Sequence, residues 1–184
     1  EFCKEFDMGA VLGTPCSSIE GHNGNYKEYN ETALKAGAKN LVTKYKDYVP
    51  IIVCLGNEPH GGPDRVKEDI AAYKAVYEAV KSVDPGITLL GTSCGPEEEF
   101  FKQGFQQYQD IYDFHIYEEP KNVKMALRKY DELFAKYGGK KPVWSTEIGL
   151  NSSGMTRLVI TRAMIRKFAV FFANGGLSTS NLRR

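Results

Sequence analysis

Apolar residues along this chain fall into two kinds of run that follow one another. Short unbroken blocks, of which Ile51-Ile52-Val53-Cys54-Leu55 is the clearest, have no polar residue in alternate positions. A strand of that kind is covered on both faces, as in a parallel sheet flanked by helices. Asp7–Leu12, Ile87–Gly91, Ile111–Tyr117 and Pro142–Ile148 read as further strands. Between them lie stretches whose apolar residues recur in steps of three and four, the period of one helix face. Leu34, Ala38, Leu41, Tyr45 and Tyr48 form the first stripe. Val66, Ile70, Tyr73, Tyr77 and Val80 form the second, with Asp64 as a candidate cap and Asp84-Pro85-Gly86 as its stop. Val123, Leu127, Tyr130, Phe134 and Tyr137 form the third, closed by Gly138-Gly139. A shorter helix is expected within Glu97–Gln109, and a long apolar one over Met155–Ala173, with Arg157, Arg162, Arg166 and Lys167 as its polar positions. The tail from Leu177 to Arg184 is polar and does not read as a strand.

Strand and helix thus alternate about five times, with no linker or low-complexity tract, which indicates a parallel α/β sheet. Right-handed crossovers put every strand C-terminus on one face. Doubly wound folds share the pattern, but no GxGxxG or Walker A sequence follows any strand. Residues 1–184 read as one (β/α) barrel unit, shorter than the roughly 250 residues of a complete eightfold barrel.

A net charge of +1, from 24 basic and 23 acidic residues, argues against nucleic acid or an anionic membrane as partner. No run approaches the roughly 18 apolar residues of a membrane span. Cys3, Cys16, Cys54 and Cys94 make no CxxC pair, and Cys54 reads as a small core residue. The three histidines lack HExxH spacing, and Ser93 and Ser145 lack a GxSxG elbow, which disfavours metal and serine hydrolases. No metal or organic cofactor is called for.

Chemistry concentrates at strand ends. Asn57 and Glu58 follow the central strand, and Glu147 ends the Pro142–Ile148 strand. A lone Glu after a strand is most simply a solvated loop residue; two at equivalent places on buried-type strands project into one rim. Paired carboxylates are what glycoside hydrolysis requires, one protonated to deliver a proton and one ionised to attack or support the anomeric carbon. His60 directly follows the Asn-Glu-Pro stretch, and Trp144 reads as packing rather than a sugar platform, because side chains alternate along a strand.

Gly56-Asn57-Glu58-Pro59 resembles the Asn-Glu-Pro motif that ends barrel strand four in clan A glycoside hydrolases. Trp144-Ser145-Thr146-Glu147-Ile148-Gly149 resembles that clan's nucleophile segment at strand seven, and His115-Ile116-Tyr117 its His-x-Tyr on strand six. Cellulase-like family 5 and family 39 are both in keeping with the motifs. The resemblance implies a partial TIM-barrel (β/α)8 fold comprising strands three to seven, with one, two and eight lacking a counterpart. It implies Glu58 as general acid/base, Glu147 as nucleophile, Asn57 at the sugar 2-hydroxyl, Tyr117 holding the nucleophile, and His115 and His60 lining the cleft. The implied activity is retaining hydrolysis of a β-linked glycan or glycoside. Open barrel edges would call for a covering partner such as a second copy of the chain. The rival readings are an inactive carbohydrate binder, an assembly scaffold, and an unrelated phosphate-handling barrel enzyme.

Overall fold

The computed structural model describes residues 2–14, 30–59, 65–117 and 119–178. A short helix α1 (Phe2–Glu5) precedes β1 (Ala10–Gly13), α2 (Glu31–Tyr45), β2 (Ile51–Cys54), α3 (Val66–Val83) and β3 (Thr88–Leu90). Then come α4 (Glu98–Lys102), a 3-10 turn (Phe105–Gln107), β4 (Tyr112–Asp113), α5 (Pro120–Tyr137), β5 (Val143–Ser145), α6 (Arg157–Ala173) and β6 (Gly176–Ser178).

Among the described residues the strands pair in parallel and in chain order within each sheet. Val11 faces Ile52, Val53 faces Leu89, Asp113 faces Trp144, and Trp144 faces Leu177. The strands form two three-stranded sheets, β1-β2-β3 and β4-β5-β6. Among the described residues their seam carries the parallel bridge Leu90 to Ile111, where Gly91 N–H donates to Ile111 O (2.8 Å), and the antiparallel bridge Cys94 to Phe114. Strand after strand in chain order, with helices between, is the arc of a barrel.

Alternation along the strands separates two cores. Val53, Leu55, Leu89, Tyr112 and Val143 pack with the helices in one large cluster. Ile52, Leu90, Ile111 and Trp144, flanked by Cys54, form a small second cluster with no helical member, on the concave inner face. Trp144 is therefore packing inside the arc. Phe101 and Tyr112 stack at 5.5 Å between centroids, and Tyr112 meets Phe134 at 5.1 Å, so α4, β4 and α5 lock through aromatic contacts worth about 0.5–1.5 kcal/mol each beyond area burial.

Several expectations shift. In α2 the buried face is Leu34, Ala38 and Val42, leaving Tyr45 and Tyr48 exposed. Val76 takes the buried place in α3 while Tyr77 is partly buried. The Glu97–Gln109 segment breaks at Gly104, whose φ of 86° belongs to the left-handed region. The reading of the tail is corrected at its start. Gly176–Ser178 adds a sixth strand beside β5, and only glycine fits at 176, because a Cβ there would sit 2.3 Å from the Phe171 ring. The candidate cap Asp64 lies outside the described residues. Large apolar side chains remain exposed at both ends of the arc: Phe2, Phe6 and Val11 at one, and Leu158, Ile165 and Phe168 of α6 at the other. No helix among the described residues is long and apolar enough to cross a membrane.

Candidate active site

The strand-end carboxylates meet through a histidine. The segment Asp113-Phe114-His115-Ile116-Tyr117 is extended, so its odd residues face the rim while Phe114 and Ile116 join the large core. His115, almost wholly buried, places Nδ1 2.6 Å from Glu58 Oε1 and 3.6 Å from Glu147 Oε2. Tyr117 donates its hydroxyl to Glu147 Oε2 at 2.5 Å. That contact is the first cause of the raised Tyr117 pKa, since losing the phenol proton beside a carboxylate is disfavoured.

The backbone is specialised here. Glu58 (φ 47°) and Ser93 (φ 63°) are non-glycine residues in the left-handed region, a conformation costing about 1–3 kcal/mol that concentrates at functional sites. Glu58 is held there by its N–H donating to Thr92 O (3.0 Å), which ties the loop after β2 to the loop after β3. Gly149 N–H donates to Ile116 O (2.9 Å), and the Tyr117 ring covers Gly149 so closely that a Cβ would meet it at 2.8 Å. A cleft of about 320 Å³ opens beside Glu58, floored by Phe114 and His115 and walled by Cys94, Gly95 and Tyr117. A second cavity, about 460 Å³, lies between α5 and the Lys140–Val143 segment, at the opposite end of the strands from the carboxylates.

Glu58, His115, Tyr117 and Glu147 are thus brought together, and Asn57, half-buried, adjoins them at the end of β2. His60 lies outside the described residues. Glu58, His115 and Glu147 are also the set, among the described residues, whose ligand-type atoms all lie within 4.8 Å of one another. Those atoms are engaged with each other and with Tyr117.

Sequence reasoning missed three parts of this arrangement. Asp113 is fully buried and accepts from Ser93 Oγ (2.5 Å), Thr146 N–H (2.9 Å) and Thr146 Oγ (2.7 Å). The signal was available: one carboxylate inside an apolar strand, two residues before a histidine, shares its face. Thr146 was read only as part of the nucleophile segment. Lys167, assigned to the polar side of α6, is instead buried, with Nζ donating to Tyr117 O (2.8 Å) and Gly149 O (2.5 Å). Four methylenes let an ammonium reach carbonyls from beneath an apolar helix, which periodicity does not reveal.

The family model described as cellulase (glycosyl hydrolase family 5) matches residues 6–181. Solved structures share the fold at low identity. A Bacteroides uniformis β-glucuronidase superposes with a TM-score of 0.72 and 12% identity over 96% of this chain and 24% of its own. A psychrophilic family 10 endo-β-1,4-xylanase gives 0.65 and 14% over 96% and 67%. XacCel5A, in complex with cellopentaose, gives 0.64 and 15% over 94% and 61%. The chain therefore spans about a quarter of the glucuronidase and close to two thirds of the other two. No curated protein sequence matches it.

Proposed function

We propose, for a chain that belongs to glycosyl hydrolase family 5, that residues 1–184 carry the two-carboxylate centre of a retaining β-glycosidase. The observation that carries the reading is the approach of Glu58 and Glu147, whose nearest offered oxygens lie within 4.8 Å with His115 between them. Retaining enzymes hold their carboxyls about 5–5.5 Å apart, whereas inverting ones leave about 6.5–9.5 Å for a water.

In the first step Glu58 gives its proton to the glycosidic oxygen as that C–O bond breaks. Glu147 attacks the anomeric carbon and forms a glycosyl ester through an oxocarbenium-like transition state. Tyr117 fixes the attacking carboxylate through its 2.5 Å hydrogen bond. The leaving alcohol departs, Glu58 takes a proton from water, and that water's oxygen displaces Glu147 to regenerate both groups. Asn57 binds the sugar 2-hydroxyl, and the cleft beside Glu58 accepts the departing portion. The substrate class is a β-linked glycan or glycoside, in keeping with a neighbour solved with cellopentaose and another named an endo-β-1,4-xylanase. The exposed apolar residues at the two ends of the arc are covered by a second copy of the chain.

Release of reducing sugar from β-glucans, mannans, xylans and aryl β-glycosides tests the reading, with Glu147→Gln beside the parent and the oligomeric state measured on the same samples. Turnover by the parent that is lost in the variant supports it. Turnover that survives Glu147→Gln overturns the nucleophile assignment, and binding without turnover points to a carbohydrate-binding role.

A further inference from the structure

The hydrogen bonds behind His115 specify where its protons sit. Thr146 Oγ lies 2.7 Å from Asp113 Oδ2 and 3.0 Å from His115 Nε2. A hydroxyl has one proton to give. The Asp113 carboxylate offers only acceptors and already receives Ser93 Oγ and the Thr146 N–H. The Thr146 proton therefore goes to Asp113, and Thr146 Oγ must accept from His115 Nε2–H. With Nε2 protonated, neutral His115 turns the Nδ1 lone pair toward Glu58 Oε1, 2.6 Å away. Two lone pairs cannot face each other at that distance without repulsion, so one proton stays between them.

We infer that Asp113 is a positioning residue which, through Thr146, fixes the Nε2–H form of His115 and so keeps a proton on the Glu58–His115 pair for delivery to the leaving oxygen. This rests on the assignment of Glu58 as the acid. The charged and titratable groups around the chain of contacts are few. Asp113 faces His115 along its own strand, with Nε2 at 3.6 Å, and Tyr130 from α5, whose proton loss is opposed first by burial and further by the Cys94 and Asp113 charges. Ser93 and Thr146 face it from the loops after β3 and β5 as neutral donors. His115 in turn faces Glu58 and Glu147. Burial raises the Asp113 carboxyl, while its bonds to Ser93 and Thr146 and the nearby His115 act in the opposite direction.

Asp113→Asn reverses the relay by geometry alone. The Thr146 N–H needs an acceptor, so the amide oxygen stays at the Oδ1 position and the NH2 takes that of Oδ2. The NH2 then donates to Thr146 Oγ, the hydroxyl turns its proton to Nε2, and His115 carries its proton on Nδ1, donating to an ionised Glu58. Thr146→Val removes the acceptor for Nε2–H and has the same consequence; Thr146→Ser retains it.

The experiment is long-range 1H–15N NMR of the His115 ring, assigned with His115→Gln among the three histidines, from pH 5 to 9. Parent and Thr146→Ser show Nε2–H at the alkaline end, and Asp113→Asn and Thr146→Val show Nδ1–H. This readout needs no turnover, so it stands even if the glycosidase reading falls. Where turnover is present, kcat/KM falls about tenfold in both altered variants and is kept in Thr146→Ser, the scale of one charge-assisted hydrogen bond acting through a hydroxyl. Nδ1–H in the parent overturns the inference, as does an unchanged tautomer in both Asp113→Asn and Thr146→Val.

Discussion

Lys167 offers the sharpest test of how the rim is held. Its ammonium reaches from α6 to the carbonyls of Tyr117 and Gly149, the residue whose hydroxyl binds Glu147 and one two positions beyond Glu147. Lys167→Met keeps the stem volume and removes both donors. Each carbonyl left without its partner costs about 1–3 kcal/mol, while sparing the ammonium its desolvation returns several kcal/mol per ion at most and in practice part of that sum. A net loss of about 2 kcal/mol is expected, because the two loops can admit water in place of the ammonium. For a chain of this size that corresponds to a drop in Tm of roughly 4–8 °C. The functional effect exceeds the thermal one: freed carbonyls let Tyr117 and Glu147 drift apart, and a displacement of about 1 Å costs on the order of 100-fold in rate. Scanning calorimetry and kcat on the best aryl glycoside measure the two effects. Tyr117→Phe in the Lys167→Met background should then lose less than it does alone, since the two act through one contact. A Lys167→Met protein with the parent's Tm and kcat, or fully additive losses in the double variant, would refute the reasoning.

Tyr117→Phe alone removes the 2.5 Å donor to Glu147, so kcat falls about 10- to 100-fold, as steady-state kinetics will show. Gly149→Ala drives a Cβ to 2.8 Å from the Tyr117 ring, and kcat should drop with little change in Tm. Glu98 is held at about 2, below its ordinary 4.5, first by Lys136 and then by Tyr137, so its stabilising contribution is present above pH 4.5 and is lost as pH falls toward 2. Urea midpoints from pH 5 to 2 should therefore fall more steeply for the parent than for Glu98→Gln. Leu158→Lys combined with Phe168→Lys should shift sedimentation toward a single copy, and unchanged sedimentation would overturn α6 as the face proposed to be covered by a second copy.

Much of the fold is legible in the sequence because the strand blocks after the first are largely buried and the helix stripes keep their period over most of their length. Ile51–Leu55 and the Val123–Phe134 stripe fall as periodicity expects. What escaped follows from tertiary contact. Gly176–Ser178 is a strand because β5 offers it a ladder and Phe171 excludes a side chain, and neither can be read from a short polar tail. The expected Ile111–Tyr117 strand keeps only Tyr112–Asp113 as regular ladder, since beyond it Phe114 and Ile116 make isolated bridges. In the site, the strand-end positions of Glu58 and Glu147 were legible from the apolar runs before them. The roles of Asp113, Thr146 and Lys167 depend on which loops meet in space, and a single chain of letters carries no such distances.

The seam between β3 and β4 has a mechanical consequence. Glu58 rides on the first three-stranded half, whereas His115, Tyr117 and Glu147 ride on the second. One strand bridge, the Cys94–Phe114 contact and the Glu58–His115 bond are prominent stitches between the halves near the rim. The gap between the carboxylates is therefore a clearance between two assembled parts, set by how the shared core and these stitches seat one half against the other. In such a build, stereochemical outcome becomes a matter of tolerance at a joint, and residues lining that joint can retune it without touching either carboxylate.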